Sequence, residues 1–454
     1  MRAVYRGGFD PSQRMGIERQ NGSGGMERRW LIRAPVRSAL TLTLAALTAL
    51  LHAEDFQGST HPVPYDEEII DYSRKTPGGP VAELQQRLDR GELKLKFDNK
   101  YGWLPGLLDA LKVPASSQML VFSKTSMQRN SITPRNPRAL YYNDDVYLGY
   151  FPGAPVMEIS VADPQLGGVF YTIEQLPARR PQFTRDADCM RCHGAGRSLG
   201  VPGHVLRSIG TDETGELDAQ SEVSGIDHCT PMADRWAGWY VTGQHGAMTH
   251  RGNLIGAEAF ARQEEKPNHL GNLTDLGQFI DEGDYLAKGS DIVSLMVLGH
   301  QAHMHNYITR LNFETQIMMA QYGHTRYLAK KVDAFLRYLL FTEETPLTAP
   351  VTGNPDFIRD FTARGPRDSQ GRSLRDFDLK TRMFKYPCSF LIYTKSFDQM
   401  PPVMREQIYQ RLWDILNGRD AGPDFAGIPG EDRRAIREIL LETKGGLPDY
   451  WKKS

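Results

Sequence analysis

Cysteine is scarce in this chain. Four occur in 454 residues, too few for an exported protein stapled by several disulfides. Neither sign of charge is in excess, with 54 Lys and Arg against 55 Asp and Glu. Nucleic acid is therefore not an expected partner, since phosphate contacts require a basic face. Long apolar runs are missing too. Ala39 to Leu51 is apolar but broken by threonines, and it is too short to span a bilayer comfortably. There is no P-loop, no nucleophile elbow and no internal repeat, which removes the common phosphate-binding, acyl-transfer and solenoid signatures. What remains is a globular composition, 40% hydrophobic and 10% aromatic, long enough for two domains.

One pentapeptide stands out, Cys189-Met190-Arg191-Cys192-His193. C-x-x-C-H is the attachment pattern of a c-type haem. Cys189 and Cys192 would add across the two vinyl groups, and His193 would be the proximal ligand of the iron. A thioredoxin-like dithiol normally lies between an apolar strand and a helix, yet polar Arg185-Asp186-Ala187-Asp188 precedes this one. A zinc site needs two further ligands at short spacing, and the remaining thiols, Cys229 and Cys388, are distant. Those two are expected as separate buried thiols rather than a disulfide. One covalent haem c is the implied cofactor.

The N-terminus fits export. Basic Met26 to Arg33 precedes the apolar run, and His52-Ala53 leads into Glu54-Asp55, the layout of a secretory signal cut near Ala53. Met26 reads as the initiator, and Arg28-Arg29 is a weaker match to a twin-arginine signal. A periplasmic or otherwise exported location follows, which agrees with attachment of c-type haem outside the cytoplasm.

Beyond residues 1–53 the pattern predicts an α+β protein. A mixed haem-bearing region with β-hairpins is expected over 54–275, and a mainly α-helical region over 276–454. Val81 to Arg90 and Leu104 to Leu111 have helical spacing, and Gln118 to Phe122 reads as a strand. Asn143-Asp144-Asp145 and Asp163 to Gly168 mark two hairpin turns. Ser131 to Pro137 is expected to be extended because of its prolines. Trp236 to Tyr240 is a core strand or a wall of the haem pocket. Ser290-Asp291 caps a helix from Ile292 to about Gln321 with one apolar face. His300, His303 and His305 lie on it without converging. Further helices are expected at Thr325–Phe341, Met404–Leu416 and Glu431–Thr443.

The stretches Ser131–Tyr150, Cys189–Gly215, Trp236–Asn253, Ser290–Asn306 and Phe384–Tyr393 together resemble a family of large exported bacterial proteins, described as cytochrome c domain-containing. The resemblance covers most of the mature chain and implies haem binding and electron transfer to a redox partner protein. In that reading a second side chain closes the iron. His245, His250 and His300 are the candidate sixth ligands, ahead of His303, Met232 and Met248. Arg185, Arg197 and Arg207 are candidates for pairing with propionates. Two other readings compete with the electron carrier. One is a haem enzyme acting on peroxide or another small oxidant, with His245 or His250 as acid–base. The other is a haem-based sensor or interaction protein.

Overall fold

Two polar turns shape the sheet. Asn143 accepts hydrogen bonds from the backbone N–H groups of Asp145 and Val146, and Asp163 accepts from Gln165 and Leu166. Side chains that bond their own backbone two and three residues on are what such turns require. The computed structural model describes residues 62–420 and 422–452, so the signal and start-site expectations lie outside the described residues. The turns join strands β2 (Arg138–Tyr142) to β3 (Val146–Tyr150), and β4 (Val156–Asp163) to β5 (Gly167–Glu174). With β1 (Met119–Val121) and β6 (Thr184–Arg185) these form a six-stranded antiparallel sheet in sequence order. Register is fixed by Tyr142 opposite Tyr147 and Asp163 opposite Gly167.

Alternation sends successive side chains to opposite faces. Met157, Ile159 and Val161 pack with Val81, Leu84 and Leu107 of helices α1 (Gly79–Asp89) and α2 (Leu104–Ala110). Tyr142 and Tyr147, on the other face, join a core shared with Ile292, Leu295 and Leu311 of the long helix described below. The sheet is thus a middle layer between helices, and both expected regions meet across it. Ser131 to Pro137 departs from the extended reading. Thr133 and Asn136 close a turn with Pro134 inside it, because the fixed φ of proline suits the second position of a turn.

After the sheet come the single-turn helix α3 (Met190–His193), the short strands β7 (Arg207–Ser208) and β8 (Val223–Ser224), and helix α4 (Gly256–Glu265). Trp236 to Tyr240 runs as core beside β1, with Tyr240 donating its N–H to the Leu120 carbonyl at 2.9 Å. Helix α5 (Ile292–Tyr322) follows. Asp291 caps it by accepting the Ser294 N–H at 2.8 Å, and Gly323 ends it at φ 70°, where a side chain would be strained. The one-faced reading of α5 does not hold: every residue from Ile292 to Thr315 except His303 is buried. Its polar residues tolerate this because they bond neighbouring segments. Gln301 donates to the Asn143 carbonyl at 2.7 Å, and His305 Nε2 lies 2.8 Å from the Asp144 carbonyl.

Around α5 pack α6 (Ala329–Leu339), α7 (Pro355–Ala363), α8 (Lys395–Asp398), α9 (Pro402–Leu416), α10 (Pro423–Ala426) and α11 (Gly430–Thr443). Pro355, Pro402 and Pro423 each occupy a first turn, where the missing N–H costs nothing. The fold is the expected one, a sheet region followed by a mainly helical region. No helix among the described residues is long and apolar enough to cross a membrane.

Candidate functional site

The pentapeptide hangs from the edge of the sheet. Asp186 donates its N–H to the Phe170 carbonyl and caps the following turn by accepting the Asp188 N–H at 2.9 Å. A 3₁₀ turn, Ala187–Cys189, runs into α3. Cys189 and Cys192, three residues apart on this turn, are therefore neighbours on one face. Both thiols are free. Cys189 is half-buried and Cys192 exposed, while Met190 packs toward the sheet core.

His193 is held by one nitrogen only. Nδ1 lies 2.9 Å from the Gly203 carbonyl oxygen. A carbonyl only accepts, so Nδ1 carries the proton and Nε2 keeps its lone pair. Among the described residues no group hydrogen-bonds Nε2. Gly203 returns its own N–H to the His193 carbonyl at 2.9 Å. The ring rests on Phe170, with centroids 4.4 Å apart. Burial and the Arg138 guanidinium depress its basicity, against the opposing pull of the Gly203 carbonyl and Glu158, so the imidazole is neutral near neutral pH.

The loop after His193 is closely fitted. A Cβ on Gly194 would stand 2.4 Å from Tyr65 Oη, and one on Gly203 2.1 Å from Asn306 Oδ1, so neither position admits a side chain without displacement. The Ser198 hydroxyl sits among the carbonyls of His193, Ala195 and Val201. Asn306 on α5 accepts the His204 N–H at 2.8 Å and donates to the His204 carbonyl at 2.7 Å. The His204 ring lies between Tyr147 and Phe170, with Nε2 3.0 Å from Ser160 Oγ.

The thiol chemistry discriminates between the possible uses of C-x-x-C. Burial pushes the Cys189 thiol up to about 12, and Asp186 and Glu158 add to the shift. A redox dithiol works as a thiolate and sits where positive charge lowers its pKa. Cys189 sits where negative charge raises it. Nor do three or more His, Cys, Asp or Glu converge as a metal site among the described residues. The donor set fits a thioether-tethered haem: two free thiols, one half-buried and one exposed, beside an imidazole with a free nitrogen.

The other nominated residues lie elsewhere. His300 Nδ1 is 3.0 Å from His228 Nδ1, and its Nε2 is 2.7 Å from Ser389 Oγ. Tyr338 stacks on it at 5.3 Å and 8°. His303 packs on Tyr307 and Tyr338. His245 and His250 face each other at 4.7 Å, against Trp236, and each accepts one backbone N–H, from Asn272 and Gly252 respectively. None of these rings has Cys189–His193 among its partners. Met232 and Met248 are buried in the large core. Arg185 bonds the Tyr72 and Lys75 carbonyls, while Arg197 and Arg207 both pair with Glu222. Cys229 and Cys388 are free thiols as expected, the first half-buried and the second fully buried.

Sequence reasoning missed Gly203, His204 and Asn306, which hold the loop, and the partly buried Arg138–Glu158 pair beside it. A Gly-His dipeptide ten residues after His193 carries no signal by itself, and nothing ties it to an asparagine 102 residues further on. No family model, curated protein or solved structure matches the chain.

Proposed function

We propose that this chain is an exported mono-haem c-type cytochrome that carries electrons to or from a partner protein, like the cytochrome c domain-containing proteins it resembles. One observation carries the reading. His193 donates Nδ1–H to the Gly203 carbonyl and leaves Nε2 free, directly after a pair of unpaired thiols. Bound there, haem supplies a one-electron iron couple whose potential follows the axial ligands and their hydrogen bonds. The chain's own part is to tether, orient and tune. Cys189 and Cys192 would hold the haem through thioether bonds, and His193 would supply a nitrogen to its iron. The Gly203 bond fixes its tautomer and strengthens it as a donor. Cys192 is exposed, which leaves that edge of the site within reach of a partner.

The test is export from a host with haem-maturation machinery, followed by absorption spectra and haem staining after denaturation. Haem should remain on the denatured parent and be lost from the doubly substituted Cys189→Ser, Cys192→Ser chain. A parent chain recovered without haem sinks the proposal. Carbon monoxide added to the reduced protein then separates the roles. An unmoved spectrum supports the electron carrier, and prompt binding shifts the reading to an enzyme acting on a small oxidant.

A further inference from the structure

We propose that Asn306 is a positioning residue for His193 and sets the donor strength of its Nε2. The inference rests on the haem reading above. It starts from one peptide plane, the Gly203–His204 amide. The carbonyl of that plane accepts Nδ1–H from His193 at 2.9 Å. The N–H of the same plane donates to Asn306 Oδ1 at 2.8 Å. The two bonds therefore form one chain, from Asn306 Oδ1 through a single amide to the imidazole.

Hydrogen bonds in series polarise one another, by roughly 10–30% per bond. Donation to Asn306 draws electron density toward the Gly203 oxygen and makes it a stronger acceptor. A stronger acceptor pulls the Nδ1 proton and gives the ring more imidazolate character. Its Nε2 becomes a better donor, which favours the oxidised iron.

The direction of the Asn306 amide is not arbitrary. Its Nδ2 donates to the His204 carbonyl at 2.7 Å, so the flip that would present Nδ2 to the His204 N–H loses both bonds. Asn306 is 1% exposed and sits on the long helix, so no water competes. Gly203 lacks the Cβ that would stand 2.1 Å from Oδ1. The close approach of helix and loop is thus built into both partners.

The experiment compares the parent holoprotein with Asn306→Leu. The reduction potential of N306L should move positive, and the His193 Nδ1 proton should exchange about tenfold faster, the equivalent of one ordinary hydrogen bond. Haem bound with potential and exchange both unmoved overturns the proposal while leaving the haem reading intact. A chain without haem overturns the haem reading itself. Should N306L not fold, exchange in the parent decides: slow loss of both the His204 amide and His193 Nδ1 protons upholds the chain of bonds, and rapid loss of either overturns it.

Discussion

Two of the histidines are held in opposite ways. At the sheet edge His193 has one nitrogen committed to a carbonyl and the other free. In the helical core His300 has both nitrogens committed, to His228 and Ser389. A free nitrogen beside a fixed one keeps a lone pair available, whereas two fixed nitrogens make a structural tie. The first ring is tied to one loop only, and the second fastens the His228 loop and the Ser389 segment to α5.

Exchanging the roles gives the largest expected effects. His300→Ala leaves His228 Nδ1 without a partner inside the core, takes one of two partners from Ser389 Oγ, and opens a cavity. It should cost ~2–4 kcal/mol in a denaturant titration while leaving the haem spectrum of the folded protein unchanged. His193→Ala should remove the histidine-ligated haem spectrum and cost only ~1 kcal/mol of stability. A spectral change in folded H300A would break the comparison.

A second effect is set by pH. Burial pushes His250 down to about 3 and His305 to about 4. His204, His228, His245, His300 and His303 are shifted the same way. Below the ordinary histidine value of about 6.5 the unfolded chain binds more protons than the folded one. Stability is therefore present above pH 6.5 and falls as pH drops toward 4, by up to ~1.4 kcal/mol per unit for each ring. Asp145 and Asp291, raised by burial to about 6, and Glu344, raised to about 7, act in the opposite sense, but the rings outnumber them. Thermal unfolding at pH 7 and pH 4.5 should show the loss, and His305→Gln should reduce it. A flat profile would contradict the neutral burial of these rings.

The smallest effect concerns His245 and His250. His245 Nδ1 and His250 Nε2 are buried without a partner. His245→Leu should change stability by less than ~1 kcal/mol, since the lost Asn272 bond is offset by removal of a buried unsatisfied nitrogen. It should also leave the haem spectrum as it was. Loss of a low-spin signature in that variant would make His245 an iron ligand and require the loop to move.

These comparisons mark where the sequence is legible. Both hairpins could be read because Asn143 and Asp163 write their turns locally. Helix α5 could be bounded because Asp291 and Gly323 cap it. Its burial on every side could not, since Gln301, His305 and Asn306 look solvent-facing until their carbonyl and amide partners are known. The C-x-x-C-H peptide is contiguous and needed no fold to be seen. The residues that hold it come from distant segments, and no spacing rule joins them.

The distance between His204 and Asn306 also sets a clock. The clasp joins residues 102 positions apart. A chain that emerges N-terminus first presents the loop before the helix that fastens it. For that interval the two thiols travel on an unfastened thread, open to modification, and folding of α5 closes the interval.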